Sequence, residues 1–431
     1  MELVNLKDSS ERVSFSQAVR QGIGREQGLF FMEKVEPFTP EQIKDLLAMD
    51  LVTRSQKVLR HLIGSDEMPE LEAIIADAFN FKAPLVKADD RTFCLELFHG
   101  PSLAFKDFGA RFMARVLSSV IGYERCTILT ATSGDTGAAV ADAFYRQDKI
   151  NVVVLYPKGM VSPLQESLIA TLGENIHAVE VSSPFDNCQD MVKTAFDDLD
   201  FKKAVGLNSA NSINISRLLA QVCYYFEAVA QLDEAQRDKV VFAVPCGNFG
   251  NITAGLIARA LGLKSRFVIA CNANDTVPRY LKSGNWEPHK TIATISNAMD
   301  ISRPNNWPRV EALCRLMGWS LSEFDCGSVS DDETRANMKA LYQSTGYILE
   351  PHASVAHKVL SSSLKDGEVG IFLGTAHPAK FKEEVDATLG IDLPLPKALA
   401  DRMNLERHKK LMEADFATLK SYMLDELKLA R

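Results

Sequence analysis

Six apolar runs rich in β-branched residues are the feature that most constrains the fold of this chain. They alternate with amphipathic stretches such as "TGAAVADAFYRQ" and "SRLLAQVCYYFEAVAQL". Continuous Val, Ile and Leu runs of this length are typical of strands buried on both faces, as in a parallel sheet covered by helices. The pattern therefore predicts an open α/β fold with mostly parallel sheets and flanking helices. The predicted strands cover residues 126–132, 150–157, 175–181, 239–247, 265–272 and 369–375.

The two ends of the chain differ from this central pattern. Residues 1–80 are predicted to be helical, since "FTPEQIKDLLAMD" offers Thr39 as a cap and Pro40 at the first helical position. Residues 386–431 are rich in charge and are predicted to form a helical segment packed on the core. Because 431 residues exceed one ordinary domain, we expect a helical N-terminal domain, a core over 81–385 and this C-terminal segment.

Composition excludes several functional classes. The net charge of -8 argues against a nucleic acid or an anionic membrane as partner. The first residues, "MELVNLKDSSERVSF", lack the pattern of a signal peptide, and no apolar span reaches the length of about 18 residues that a transmembrane helix needs. The eight cysteines and eight histidines are dispersed without C-x-x-C or H-E-x-x-H motifs. We therefore expect a cytoplasmic protein with buried thiols and no metal site.

Two junctions between a strand and a helix carry glycine-rich turns, where open α/β sheets bind their ligands. In "ATSGDTGAAVADAF" the turn is Ser133–Gly137, and in "AVPCGNFGNITAGL" it is Gly247–Asn251. Backbone amides at a helix N-terminus favour an anion such as phosphate. The second turn matches neither G-x-G-x-x-G nor G-x-x-x-x-G-K-[ST], so no nucleotide is indicated. Each turn alone is equally compatible with an ordinary connection.

Lys106 lies in an unusual setting, between Phe105 and Phe108 in "LAFKDF". Lysine normally keeps its ammonium in water because burial of the charge is unfavourable. A desolvated lysine has a lowered pKa and becomes a nucleophile towards aldehydes, as in a Schiff base with pyridoxal phosphate. A side chain that extends past its neighbours to the surface is the alternative interpretation.

Five motifs occur in this order along the chain: "LFHGPSLAFKDFGARF", "TATSGDTGAA", "NSANSINISRL", "VPCGNFGNITAG" and "GTAHPAKF". Together they closely resemble the longer, bacterial and fungal type of the threonine synthase family. The resemblance covers essentially the whole chain, including the helical N-terminal region. It implies a fold-type II pyridoxal 5'-phosphate enzyme, of the class that includes the tryptophan synthase β chain. Its core would contain two α/β subdomains with the site between them.

The resemblance also implies how the cofactor is held. Lys106 would form the Schiff base, and Thr375 of "LGTAHP" would contact the pyridine nitrogen. Asp135 stands where many fold-type II enzymes have an asparagine on the 3'-oxygen of the ring. Two negative groups would repel there, so either a proton is shared or the partner of that oxygen differs. The loop that would bind the cofactor phosphate consists of Gly247, Asn248, Phe249, Gly250 and Asn251.

A second set of residues would bind the substrate by the same resemblance. The loop residues Ser133, Gly134 and Thr136 would receive its carboxylate. The phosphate of O-phospho-L-homoserine would be held by Ser212, Arg217 and Asn248. Taken alone, an arginine such as Arg217 is more typical of an ion pair on a helix surface. His352 and His377 lie in nearby loops, and we expect structural roles for both.

The implied reaction converts O-phospho-L-homoserine and water to L-threonine and phosphate by γ-elimination and β-hydration, the last step of threonine biosynthesis. Lys106 would serve as anchor, base and acid in this carbon–oxygen lyase. A fold-type II threonine or serine dehydratase is the nearest alternative, and it would need no pocket for a substrate phosphate. A non-catalytic protein that binds an anionic metabolite is a second alternative. The sequence does not distinguish a monomer from a dimer.

Overall fold

All six predicted strands are present in the computed structural model, which describes residues 1–122 and 124–430. The strands of the described residues are β1 (Glu2–Asn5), β2 (Arg12–Ser14), β3 (Phe30–Met32), β4 (Leu85–Lys87), β5 (Thr92–Glu96), β6 (Cys126–Ala131), β7 (Ile150–Pro157), β8 (Ile176–Val181), β9 (Leu207–Asn208), β10 (Val240–Pro245), β11 (Arg266–Cys271), β12 (Asp325–Ser328), β13 (Val369–Gly374) and β14 (Lys409–Met412).

Helices cover both faces of the sheets. They are α1 (Phe15–Gln21), α2 (Pro40–Leu47), α3 (Leu51–Ile63), α4 (Leu71–Ala78), α5 (Lys106–Ile121), α6 (Asp135–Phe144), α7 (Pro163–Ala170), α8 (Phe185–Asp197), α9 (Leu199–Val205), α10 (Ile215–Ala230), α11 (Gly250–Ala260), α12 (Thr276–Ser283), α13 (Trp307–Met317), α14 (Asp331–Thr345), α15 (Pro351–Ser363), α16 (Lys382–Leu389), α17 (Lys397–Met403) and α18 (Phe416–Ser421). No helix of the described residues is long and apolar enough to cross a membrane.

Two sheets form the centre of the fold. The first has the order β12-β11-β10-β13-β5-β4 and is parallel except for the antiparallel pair β4 and β5. The second has the order β14-β8-β7-β6-β9 and is parallel throughout. The strands β6, β7, β10 and β13 are almost fully buried, as their continuous apolar sequences predict. The predicted open α/β architecture is confirmed.

The prediction that residues 1–80 are helical is wrong in its first part. Strands β1, β2 and β3 form a small antiparallel sheet there, in which Leu3 lies opposite Val13 on one side and Met32 on the other. Strands of three or four residues contain too few positions for an alternating pattern to be visible. Helices α2, α3 and α4 follow, and α2 begins at Pro40 with Thr39 as its cap, as predicted.

The C-terminal segment also contains a strand that the helical prediction missed. The sequence "KKLM" of β14 pairs in parallel with β8 at the edge of the second sheet. The two lysines in this segment favoured the prediction of a polar helix. Charged side chains are, however, typical of strands at the edge of a sheet. Lys409 is paired with Glu166 and Glu180, which belong to α7 and β8.

The topology places five loops near one another. The connections that follow β5, β13 and β10 leave the same edge of the first sheet, because these strands are parallel neighbours. The connections after β6 and β9 leave one edge of the second sheet for the same reason. Helix α10 packs against both α5 and α11, and so links the loops of the two sheets.

Candidate active site

Lys106 is the first residue of α5, and its loop is tied to the loop that contains Thr375. The backbone N–H of Phe105 donates to the carbonyl oxygen of Thr375 at 2.8 Å, and that of His377 donates to Leu103 at 3.0 Å. Ala104 and Ala376 form an antiparallel bridge between these contacts. Two segments far apart in sequence thus hold the lysine in one fixed position.

The Lys106 side chain is half-buried, with its Nζ 5.9 Å from the centre of the Phe105 ring. Burial lowers the pKa of its amine to about 8, and the positive charges of Arg217 and Lys380 add to this effect, whereas Asp135 opposes it. About half of an amine with such a pKa is the neutral nucleophile near pH 8, whereas a free lysine would be almost entirely protonated there. The structure therefore supplies the desolvated lysine that the sequence suggested.

Asp107, the next residue, has a local role. It is completely buried and accepts hydrogen bonds from the backbone N–H and the hydroxyl of Ser102 at 2.9 and 2.6 Å. Burial raises the pKa of the Asp107 carboxyl to about 7, and the bonds from Ser102 oppose that rise. This residue fixes the turn before α5.

Asp135 begins α6 and is buried beside a second lysine. The ammonium of Lys380 lies 2.6 Å from Asp135 Oδ1, and Gln165 Nε2 donates to the same oxygen at 3.1 Å. Burial alone would raise the pKa of this carboxyl, but the charges of Lys380 and Lys106 lower it well below its ordinary value. Asp135 is therefore a carboxylate at neutral pH.

The hydroxyl of Thr132 caps the loop before α6, a role that the motif did not predict. The backbone N–H groups of Gly134 and Gly137 donate to Thr132 Oγ1 at 2.9 and 2.8 Å. Those two amides are thus engaged within the protein. Gly134 has φ of +135°, and a Cβ there would lie 2.5 Å from Gln165 Cδ, so only glycine fits. Ser133 and Thr136, the other predicted substrate ligands, are half-buried beside it.

Ser212 and Asn248 lie together, as their proposed shared ligand requires. Asn248 Nδ2 donates to Ser212 Oγ at 2.6 Å, across the gap between the loops that follow β9 and β10. Asn306 supports both, because its Nδ2 donates to the carbonyl oxygen of Asn248 at 3.1 Å and lies 3.4 Å from Ser212 Oγ. Sequence reasoning did not identify Asn306.

Arg217 lies in the first turn of α10 and is 2% exposed. Its Nη1 donates to the carbonyl oxygen of Ala210, but no carboxylate pairs with it among residues 1–122 and 124–430, and its Nε has no hydrogen-bond partner there. Burial lowers the pKa of the guanidinium to about 10, and Asp107 opposes this slightly. The surface ion pair considered from sequence is thus absent, and the buried charge lacks a counter-ion in the described chain.

The loop Gly247–Asn251 connects β10 to α11. Phe249 has φ of +61°, and α11 begins at Gly250, so the turn presents the N-terminus of this helix to the site. Asn251 Oδ1 accepts hydrogen bonds from Tyr224 and Tyr225 at 2.6 and 2.8 Å. These two tyrosines fix the orientation of the amide, and sequence reasoning missed them because they lie on α10.

The remaining predicted residues have the following surroundings. Thr375 is buried directly after β13. His377 caps a short 3₁₀ turn (Pro378–Phe381), and burial lowers its pKa to about 4, so the ring is neutral. His352 accepts a hydrogen bond from the backbone N–H of Ala298 at 3.2 Å.

The donors of this cluster fit pyridoxal phosphate. Arg217 Nε and Asn251 Nδ2 are buried without a partner in the described part of the chain, although buried polar groups are nearly always hydrogen-bonded. A ligand with acceptor groups would satisfy both. An amine of lowered pKa, a helix N-terminus with a glycine-rich turn and three cationic side chains (Lys106, Arg217 and Lys380) suit an aldehyde that carries phosphate and an anionic substrate.

Known proteins share this fold. The family described as "Pyridoxal-phosphate dependent enzyme" matches residues 79–373, and "Threonine synthase, C-terminal" matches residues 353–423. Threonine synthase of Haemophilus influenzae is 60% identical over 427 residues, which cover 98% of this chain and 100% of that protein. The crystal structure of threonine synthase from Escherichia coli has a TM-score of 0.95 at 55% identity, covering 99% and 100% of the two chains. A pyridoxal phosphate-bound threonine synthase from Brucella melitensis has a TM-score of 0.91 at 35% identity, covering 98% of each chain.

The parallel sheets and the lysine between them define the class: a fold-type II, pyridoxal phosphate-dependent enzyme. Within that class, the chain is 56–60% identical to threonine synthases over nearly its full length, and this similarity decides the family. The chain belongs to the threonine synthase family.

Proposed function

We propose that this chain converts O-phospho-L-homoserine and water to L-threonine and phosphate, with Lys106 as the residue that holds pyridoxal phosphate and moves protons. The observation that supports this most directly is the buried Arg217, which has no counter-ion among the described residues and lies next to a lysine of lowered pKa. A carbon–oxygen lyase that acts on a phosphate ester needs both features in one site.

Pyridoxal phosphate, when bound, supplies a conjugated ring that delocalises negative charge from the α-carbon of an amino acid. The Gly247–Asn251 turn would hold its phosphate at the N-terminus of α11, and Thr375 would face its ring nitrogen. Lys106 would anchor it covalently. The Lys106 amine, when it is not bonded to the cofactor, would remove the α-proton of the substrate and would return a proton later. A pKa of about 8 suits both directions near neutral pH.

Arg217, Ser212 and Asn248 would hold the γ-phosphate of the substrate. A guanidinium donates two parallel hydrogen bonds to phosphate, and its positive charge stabilises the departing dianion. The hydroxyl of Ser212 and the amide of Asn248, 2.6 Å apart, would add neutral donors. The carboxylate of the substrate would bind near Ser133, Gly134 and Thr136. In the overall reaction the Cγ–O bond breaks and phosphate leaves with that oxygen. Cβ loses a proton and gains the hydroxyl of water, Cγ gains a proton, and the second proton of water goes to the phosphate.

We further propose the three-part organisation expected from the sequence. Residues 1–80 would form an N-terminal domain, 81–385 the catalytic core with the site between two α/β subdomains, and 386–431 a C-terminal segment on the core. The proposed cellular location is the cytoplasm, since the buried cysteines suit a reducing compartment.

Turnover of O-phospho-L-homoserine by the purified protein tests the function. We expect threonine and phosphate in equal amounts, and no turnover by Lys106→Ala. Phosphate released with 2-oxobutyrate would contradict the β-hydration step. No turnover by a protein shown to contain pyridoxal phosphate would contradict the substrate and favour a dehydratase. The variant Arg217→Ala separates the two activities, because a dehydratase has no substrate phosphate to bind.

A further inference from the structure

Lys380 is a buried lysine to which the proposed reaction assigns no role. It lies on the short 3₁₀ turn after Thr375, and its side chain is fully buried. Its ammonium contacts Asp135 Oδ1 at 2.6 Å and the carbonyl oxygen of Ser102 at 2.9 Å. The lysine thus joins the three segments that carry Asp135, Lys106 and Thr375.

Asp135 makes a positive neighbour necessary. Where a neutral asparagine would donate a hydrogen bond to the 3'-oxygen of the cofactor ring, a carboxylate offers only acceptors and a negative charge. A proton shared between the two oxygens would solve this problem, but the charges around Asp135 keep it ionised, although burial acts in the other direction. The partner of the 3'-oxygen must therefore be a different group.

An ammonium has three N–H donors, and two of those of Lys380 are directed to Asp135 and Ser102. The third has no acceptor among the described residues. Both contacts of Asp135 with Lys380 and Gln165 end on Oδ1, so the lysine is held at a defined place beside the carboxylate. The Lys380–Asp135 pair therefore offers one remaining N–H donor, and its two opposite charges neutralise each other. An asparagine at position 135 would offer a donor without any charge.

We propose that Lys380 takes the place of the missing asparagine: it neutralises Asp135 and donates a hydrogen bond to the 3'-oxygen of pyridoxal phosphate. The proposal rests on the placement of the cofactor on Lys106 described above. Lys380 is a binding residue for the ring, and Asp135 positions it. The charged and titratable groups that face this pair are Lys106, Asp107, His352 and His377, and Arg217 acts on Lys106 in turn.

The test is a pH titration of the visible absorbance of the holoenzyme, for Lys380→Met, Asp135→Asn and the double variant. Removing Lys380 leaves an uncompensated carboxylate beside the nitrogen that links Lys106 to the cofactor. We expect the titration midpoint to rise by about 1 to 3 pH units, the range for a nearby charge. Asp135→Asn should lower it, since a negative charge is lost. The double variant restores a neutral asparagine, and its midpoint should lie between those of the single variants.

Affinity of the apoprotein for pyridoxal phosphate is the second measurement. We expect Lys380→Met to weaken binding by about tenfold or more, which corresponds to the loss of one charge-assisted hydrogen bond. The double variant should recover most of that loss. If Lys380→Met fails to fold because Asp135 is left unpaired, the double variant and Asp135→Asn still provide the comparison.

Lys382→Met is the matched control. Lys382 pairs with Asp386 and Asp392 on the surface side of the same segment, so its loss should leave the titration unchanged. A titration of Lys380→Met that coincides with the wild type, or moves to lower pH, would overturn the proposal. Borohydride reduction followed by peptide mapping distinguishes a failure of the proposed role of Lys380 from a failure of the proposed function, in which Lys106 holds the cofactor. If Lys106 is labelled while the titration does not move, only the role of Lys380 fails; if Lys106 is not labelled, the proposed function fails.

Discussion

At the residue scale, Arg217 combines burial with the absence of a carboxylate partner in the described chain. A buried charge without a partner is unfavourable, so this arginine is kept at a cost to stability. We expect Arg217→Met to lower kcat/KM for O-phospho-L-homoserine by about 100-fold or more, the typical loss when a buried charge pair is broken. The same variant should leave the free energy of unfolding of the ligand-free protein unchanged or slightly higher.

Steady-state kinetics and urea denaturation check this prediction together. Arg237→Met is a suitable control, because Arg237 is half-buried and also donates to backbone carbonyls, of Ala230 and Leu232, away from the site. A large stability loss in Arg217→Met with an unchanged KM would show that the guanidinium is structural.

The amine of Lys106 leads to a prediction about pH. Its pKa is lowered from 10.5 to about 8, chiefly by burial. The neutral, nucleophilic form therefore increases as the pH rises through about 8, whereas a free lysine would require pH above 10. Between about pH 8 and 10.5, Lys106 binds fewer protons in the folded ligand-free protein than in the unfolded chain. The free energy of unfolding therefore increases as the pH rises from about 8 to 10.5.

Absorbance kinetics of pyridoxal phosphate binding to the apoprotein measure the effect. The rate should be half-maximal near pH 8, after correction with a lysine peptide that reacts with the same aldehyde under the same conditions. Asp135→Asn should move the midpoint lower, since Asp135 opposes the decrease in the pKa. A midpoint near 10 would contradict the burial of the reactive amine.

At the scale of elements, the close contact of α5 with α10 sets the position of Lys106 relative to Arg217. Gly109 lies one turn after Lys106, and a Cβ there would be 2.9 Å from the carbonyl oxygen of Arg217 and 3.3 Å from its Cα. These are backbone atoms, so the helices would have to separate. We expect Gly109→Ala to fold with a stability loss of about 1–3 kcal/mol and to lose about tenfold or more in kcat/KM.

Thermal unfolding and turnover of the Gly109→Ala holoenzyme provide the measurement. Ser119→Ala is the control on the same helix, because Ser119 is exposed and contacts Glu70 outside the site. Wild-type kcat/KM in Gly109→Ala would mean that the helix spacing does not position the two cations.

At the scale of the whole molecule, Arg309 of α13 links the N-terminal sheet to the loop of Ser212 and Ile213, where we propose that the substrate phosphate binds. This residue is completely buried and donates to the carbonyl oxygen of Phe30 at 2.9 Å, to that of Ile213 at 2.7 Å and to that of Ser212 at 3.4 Å. Its loss would leave these acceptors unpaired inside the protein. We expect Arg309→Met to reduce the free energy of unfolding by about 2–4 kcal/mol and to raise KM more than it lowers kcat.

The comparison variant is Arg315→Met, an exposed arginine on the same helix, which should change neither quantity. An unchanged KM in a folded Arg309→Met protein would show that the N-terminal sheet does not support the substrate site.

The sequence predicted those elements and residues that are recognisable from their immediate neighbours in the chain. The six buried strands were evident because each is a continuous apolar run, and Lys106, Ser212, Arg217 and Asn248 were selected by motifs close to them in the chain. Lys380 belonged to a quoted motif, "GTAHPAKF", but nothing within that motif indicates that its partner is Asp135. The strands β1 to β3 and β14 were missed because they are short and depend on their partners.

The amino-acid sequence by itself determined the α/β architecture, the family and the lysine at the centre of the site, because apolar periodicity and contiguous motifs are properties of neighbouring residues. Only the tertiary structure decided that Arg217 is buried without a carboxylate partner in the described chain, that Asp135 is held by Lys380, and that Thr132 accepts hydrogen bonds from two amides of the SGDTG turn. Burial, pKa and hydrogen-bond partners depend on groups that come together from distant parts of the chain. Such contacts exist only after the sheets and helices have packed.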